Sequence, residues 1–146
     1  MDITMIKNLI YNLLYLAANY DLILTIAPNE TVKNQLHNYS SDCKNNATFL
    51  DKLYQELNTT SFFPLLEKPE FHGNFKQSTM WLLKYTENAY RIFHLNSYNN
   101  KFPDNQIKIL KYISGNLINQ YMGLCHIILT KEYINKKSKI TLGLIF

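Results

Sequence analysis

Residues 30–58 read ETVKNQLHNYSSDCKNNATFLDKLYQELN, and this stretch decides the fold class. Its apolar side chains recur every three or four residues, which places them on one face of an α-helix. Asn29 precedes the stretch as a favourable N-cap, and the run from Asn58 to Ser61, poor in helix formers, ends it. The stretch predicts a long amphipathic helix that must pack against other helices. The residues of its buried face are Val32, Leu36, Tyr39, Cys43, Asn46, Leu50, Leu53 and Leu57.

Three further segments carry the same periodicity, at about residues 3–27, 70–96 and 104–134. Pro28 ends the first of them, because proline disfavours helix in the residue before it. Asp104 is the expected N-cap of the last. Four helices of this length with short links form an all-α, up-down-up-down four-helix bundle most simply.

The connection from Thr59 to Phe71 is the longest link between these helices. It is long enough to cross one end of a bundle, and we expect Phe62 and Phe63 to cap the core there. The helices then form one domain over residues 1–135. A basic and then apolar tail, residues 136–146, follows it.

Composition narrows the class of protein. The chain has 146 residues, enough for one domain, and 47% of them are apolar against 18% charged, which is typical of a folded core. Its two cysteines cannot form a four-cysteine zinc or iron–sulfur site. The net charge is +4, but the lysines are scattered and Arg91 is the single arginine, so we expect no specific nucleic-acid binding.

The N-terminal segment has features of a secretory signal, since Lys7 precedes a run rich in leucine and alanine. Asn8, Asn12 and Asn19 interrupt that run and give it a polar side, which favours an amphipathic first helix over a cleaved signal. Cleavage of residues 1–18 would remove most of that helix. Because the segment favours a retained helix over a cleaved signal, and because the two cysteines have no obvious pairing, we expect a cytoplasmic protein.

Polar side chains on the apolar faces are the candidate functional residues, because sites in a bundle are built from side chains that point inward. Helix 2 carries Cys43 and Asn46 three residues apart, and helix 4 carries Asn116 and Asn119 with the same spacing. Helix 3 contributes Glu87. We expect these five side chains to form a polar core layer in which the amides surround Glu87.

Three stretches carry a family resemblance: Ala27-Pro28-Asn29-Glu30, LDKLYQEL at 50–57 and WLLKYTENAY at 81–90. Their order and frame are similar to the ferritin-like superfamily, nearer its rubrerythrin-type branch. In that family helices 2 and 4 each carry Asp-Glu-x-x-His, and helices 1 and 3 each carry a Glu. The matching positions here read Asp42-Cys43-Lys44-Asn45-Asn46, Gly115-Asn116-Leu117-Ile118-Asn119, Leu13 and Glu87.

The resemblance implies a four-helix fold and, where the ligands are kept, a di-iron centre. Most ligand positions here hold residues that cannot bridge two irons, so we expect a bundle with no di-iron centre and no cofactor. If a metal binds, its expected ligands are Glu87 and Cys43, and iron or manganese is the expected metal. His94 lies about 10 Å along the helix axis from Glu87, too far for both to bind one ion.

The expected role is therefore non-catalytic, either structural or in protein interaction. The expected partner is a second copy of the chain, forming a dimer, or another protein. One alternative is a metal-dependent oxidase or peroxidase whose remodelled ligands are Glu87 and Cys43. Another is a membrane-surface or partner-binding module that uses the tail, whose basic residues include Lys136, Lys137 and Lys139.

Overall fold

The computed structural model describes the backbone of residues 1–145 and the side chains of residues 1–130. Within that range every regular element is helical, which confirms the all-α four-helix bundle. A 3-10 turn, Leu24–Ile26, extends the first helix. The four helices are α1 (Ile3–Ile23), α2 (Glu30–Asn58), α3 (Phe75–Asn96) and α4 (Asp104–Ile145).

Local capping determines where the helices begin. The Asn29 side chain accepts a backbone N–H of the first turn of α2 at 2.9 Å, as its sequence position predicts. Helix α3 begins at Phe75, several residues later than expected. Gly73 has a φ of +95°, and Asn74 then forms a capping box with Gln77.

Helix α4 continues to Ile145, beyond its predicted end near residue 134. The tail predicted for residues 136–146 lies outside the residues whose side chains are described. Lys136, Lys137 and Lys139, which are predicted to serve in an interaction, also lie outside those residues.

Helices α1 and α2 run antiparallel. Near the end of α1, Asp21 forms an ion pair with Lys44 at 2.8 Å. Near the start of α1, the Lys7 ammonium lies 5.9 Å from the centroid of the Tyr54 ring, which belongs to the last part of α2. The end of α2 therefore lies beside the start of α1.

Helix α3 also runs antiparallel to α1. The Tyr85 ring lies 5.4 Å from that of Tyr15, and the Tyr85 hydroxyl donates to Asn12 Oδ1 at 3.3 Å. Later in α3, Ile92 lines a cleft together with Met5. Helices α2 and α3 are therefore parallel to each other.

The connection over residues 59–74, here called the crossover, must then run along the side of the bundle from one end to the other. Extended at about 3.3 Å per residue it reaches about 50 Å, which exceeds the length of roughly 44 Å of the 29-residue α2. Three contacts hold it at its start, middle and end. They join Phe62 N–H to Asp51 Oδ1 at 2.8 Å, Glu67 N–H to the Tyr11 hydroxyl at 3.2 Å, and the His72 ring to Trp81 with centroids 4.3 Å apart.

Helix α4 runs parallel to α1, since the Met1 ammonium donates to Gln106 Oε1 at 2.7 Å and joins the starts of the two helices. The helix directions are therefore up, down, down and up, and the predicted up-down-up-down order is wrong. Phe62 packs on Tyr54, but Phe63 is 88% exposed, so the two side chains do not cap the core. Hydropathy shows which face of a helix is buried and leaves its direction open.

Helix α1 supplies the centre of the core. Among the described residues, Ile3–Ile26 is the one helical segment long and apolar enough to cross a membrane, and 44% of its most apolar stretch is buried in the bundle. A core helix and an N-terminal signal sequence both have these properties. The buried residues of α1 are Ile6, Leu9, Ile10, Leu13, Leu16, Ala17, Asn19, Tyr20 and Ile23.

The two glycines of α4 differ in what surrounds them. Gly123 faces Tyr39, whose ring packs 5.7 Å from that of Tyr20, and a Cβ at Gly123 would overlap the Tyr39 hydroxyl. A Cβ at Gly115 would meet no atom within 4 Å. Gly123 thus allows α2 and α4 to approach closely.

We predict opposite effects of alanine at these two positions. Gly123→Ala should lower the free energy of unfolding by about 1–2 kcal/mol, because the Tyr39 ring must move. Gly115→Ala should raise it by roughly 0.5–1 kcal/mol, because alanine is the better helix former. Urea denaturation followed by circular dichroism measures both, and equal shifts would contradict the close approach at Gly123.

Candidate functional site

One side chain from each helix meets in a polar layer at the centre of the bundle, here called the core layer. Its members are Tyr20 of α1, Cys43 of α2, Thr86 of α3 and Gln120 of α4, all of them buried. The Tyr20 hydroxyl donates to Gln120 Oε1 at 3.1 Å and lies 3.3 Å from Thr86 Oγ1. The Cys43 thiol donates to the same Gln120 oxygen at 3.5 Å. The four helices are thus joined by polar contacts at one level.

Burial keeps the core layer uncharged. Loss of hydration raises the pKa of the Cys43 thiol to about 12, although the hydrogen bond to Gln120 opposes part of that shift. Burial also raises the pKa of Tyr20 well above its ordinary value. At neutral pH the layer therefore contains a phenol, a thiol, a hydroxyl and an amide, none of them ionised.

A second polar contact lies one helical turn from the core layer. Asn116 Nδ2 donates to Asn46 Oδ1 at 3.5 Å, which joins α4 to α2. Two buried amide nitrogens, Asn46 Nδ2 and Gln120 Nε2, have no hydrogen-bond partner within the described residues. Buried donors of this kind are rare, because each one loses its hydration without compensation.

The structure brings some residues of the predicted polar layer together and separates others. Cys43 and Asn46 are buried and Asn116 is half-buried beside them, but Asn119 is exposed. Glu87 forms an ion pair with Arg91 at 2.7 Å on the outer surface of α3, so no amides surround it.

Tyr20 was not among the five residues predicted for the polar layer, and neither were Thr86 and Gln120. Gln120 stands three residues after Leu117 and four before Leu124, so the apolar spacing of α4 already includes it. Thr86 stands four residues after Leu82 in the same way. Thr86 is adjacent in sequence to Glu87, and Gln120 to Asn119, the two residues that the sequence predicts for the layer.

The predicted metal ligands do not come together. Cys43 points into the core and Glu87 to the outer surface, where it lines a cleft with Tyr121. His94 stacks on Tyr90 with ring centroids 5.1 Å apart, and His126 is exposed. Among the residues with described side chains, no group of three or more His, Cys, Asp or Glu could hold a metal ion.

His72 packs against α3 at the end of the crossover. Its ring stacks on Trp81 at an interplanar angle of 10°, and its Nε2 is buried with no hydrogen-bond partner among the residues whose side chains are described. His37 of α2, by contrast, is exposed. His72 therefore fixes the end of the crossover against α3.

The fold and the core layer define a four-helix bundle with one long crossover and an uncharged polar centre. No protein-family model, no curated protein and no solved structure matches the chain.

The core layer predicts a large difference in reactivity between the two thiols. With a pKa near 12, about one Cys43 thiol in 10,000 is ionised at pH 8, and the side chain is fully buried. Cys125 is half-buried. Native protein should therefore show one fast thiol per chain with Ellman's reagent, and both thiols after denaturation.

Two serine variants assign that fast thiol. Cys125→Ser should abolish the fast reaction, and Cys43→Ser should preserve it. Two fast thiols in the native protein would contradict the buried position of Cys43.

Proposed function

We propose that the protein is a non-catalytic bundle of ferritin-like type without a di-iron centre, with a structural or protein-interaction role. The observation that carries this proposal is the core layer, in which hydrogen bonds join the uncharged side chains of Tyr20, Cys43, Thr86 and Gln120. A di-iron centre needs carboxylates and imidazoles at this level. The neutral groups present do not fit such a centre.

The helix directions favour the ferritin-like part of the proposal. A bundle whose neighbouring helices are all antiparallel, with one long crossover between its second and third helices, is the arrangement of ferritin-like folds. The crossover of this chain, residues 59–74, makes that connection.

Uncharged polar layers in helical bundles commonly fix the register of the helices. Here the Gln120 oxygen accepts hydrogen bonds from α1 and α2 at once. Sliding α4 by one turn would break both bonds and bury their groups unpaired. The layer therefore suits a structural role.

A stripe of apolar side chains on the outer face of α4 supports the interaction role. Met122 and Leu129 are 62% and 63% exposed, with Ile118 and Cys125 half-buried beside them. In chain order the stripe contains Ile118, Met122, Cys125 and Leu129. These residues are separated by four, three and four positions, and that spacing is the same when read in either direction. A two-fold axis would therefore place Ile118 against Leu129 of a second copy, as symmetric dimers require.

Metal content tests the first part of the proposal. Protein purified from cells grown with iron, manganese and zinc should hold well under one ion per chain by elemental mass spectrometry. Glu87→Gln should change neither that value nor the free energy of unfolding by more than about 0.5 kcal/mol, because the ion pair with Arg91 is exposed.

A reproducible content of one or two ions per chain, lost in Glu87→Gln or Cys43→Ser, would overturn the proposal. It would favour the metal-dependent enzyme instead.

Molecular mass tests the interaction role. Light scattering should give twice 17.2 kDa for the native chain, and the double variant Met122→Glu, Leu129→Glu should return the mass of one chain. Leu57→Glu is the matched control, because Leu57 is an exposed leucine at the end of α2, away from the stripe. A native chain of single mass, or a double variant that stays dimeric, would contradict the stripe as the interface.

A further inference from the structure

A cleft of about 190 Å³ lies between α2 and α4 on the outside of the bundle. At about 30 Å³ per water molecule it has room for roughly six waters. Polar groups form its base and one side, and two aromatic rings form the other. The residues that matter are Asp42, Asn45, Asn46, Phe49, Tyr112 and Asn116.

The base of the cleft contains an amide with an unused donor. Asn46 is 1% exposed, and its Oδ1 accepts the bond from Asn116. Its Nδ2 has no acceptor among the described residues. Buried donors are nearly always paired. We therefore expect an oxygen atom of a bound ligand to accept a hydrogen bond from this nitrogen.

The rim of the cleft adds both kinds of hydrogen-bonding group. Asp42 supplies acceptor oxygens, and Asn45 supplies a donor and an acceptor in one amide. Both side chains are exposed, and neither forms a side-chain hydrogen bond or ion pair within the described residues. They are free to bind a molecule that enters the cleft.

The opposite wall is aromatic. The Phe49 and Tyr112 rings meet edge to face, with centroids 6.0 Å apart and an interplanar angle of 75°. They are 39% and 58% exposed, which is high for large aromatic side chains. An apolar cleft lined by Lys108 and Ile109 continues from this pair.

We propose that this cleft binds a neutral saccharide unit. Sugar hydroxyls both donate and accept, so they match the mixed groups of Asp42, Asn45, Asn46 and Asn116. The C–H face of a pyranose ring is apolar and can lie on an exposed aromatic side chain such as Tyr112.

Other classes of small ligand fit the cleft less well. An anion would be repelled by the Asp42 carboxylate at the rim. A cation would leave the Asn46 donor at the base unpaired. A saccharide satisfies both groups, and it needs no change in the core layer or in the proposed dimer stripe.

The experiment is a titration of the full chain, labelled with ¹⁵N, against methyl glycosides of glucose, galactose, mannose and N-acetylglucosamine. We expect at least one glycoside to bind in the millimolar range, with the largest shifts at the side-chain amides of Asn45, Asn46 and Asn116. Asn46→Leu and Tyr112→Ala should each weaken that binding by about tenfold or more. Asn119→Leu, an exposed asparagine of α4 outside the cleft, should leave it unchanged.

Tyr112→Ala keeps the test decisive if Asn46→Leu fails to fold, because Tyr112 is exposed. Absence of shifts with all four glycosides at about 50 mM would overturn the proposal. Binding that persists in folded Tyr112→Ala, or shifts with sodium sulfate or spermidine in place of the glycosides, would also overturn it.

Discussion

The Tyr20 hydroxyl lies at the centre of the bundle, and the arrangement of the four helices depends on it. It contacts Thr86 of α3 and Gln120 of α4 while its ring packs against Tyr39 of α2. A slip of α1, α3 or α4 would separate a buried hydroxyl from its partner, at a cost of about 1–3 kcal/mol for each group, and a slip of α2 would separate the Cys43 thiol from Gln120. Apolar contacts alone tolerate such slips, because leucine packs against leucine at several registers.

The same interaction explains why α2 and α4 must lie close together. The Cys43 thiol reaches Gln120 across that interface, and Gly123 leaves the space that Tyr39 fills one turn further along α4. The close approach also places Asn46 beside Asn116 and forms the outer cleft. The core layer, the glycine and the cleft are therefore parts of one helix interface.

Most of the fold could be predicted from the sequence. The bounds of α2 agree at both ends, because Asn29 provides a cap and the apolar spacing stops at Leu57. The direction of α3 could not be predicted, since reversing a helix preserves its apolar face. What determines it is the set of crossover contacts, such as the stacking of His72 on Trp81, and these involve residues far apart in the pattern.

The polar site was predicted less well, for a physical reason. One residue turns a helix by about 100°, so neighbouring positions point in very different directions. Glu87 lies beside Thr86 in sequence and has Arg91 four residues later, a spacing that forms ion pairs on a helix surface. Asn119 lies beside Gln120 and points outward. The apolar spacing of α4 places Gln120 on the same face as Leu117 and Leu124, so this spacing indicates the inward position better than the chemistry of the side chain does.

The crossover divides the molecule into two helical hairpins, α1–α2 and α3–α4, that only one exposed chain segment connects. Within that segment Phe63 and Leu65 are almost fully exposed, and between its two ends, over residues 60–73, no backbone-to-backbone hydrogen bond joins it to another part of the described chain. Proteases cut such exposed extended segments in preference to helices. A cut there would separate the chain into two fragments while leaving the Tyr20, Thr86 and Gln120 contacts between them in place. The protein thus has a natural division point, where it can be nicked, or expressed as two halves that reassociate, without loss of its core.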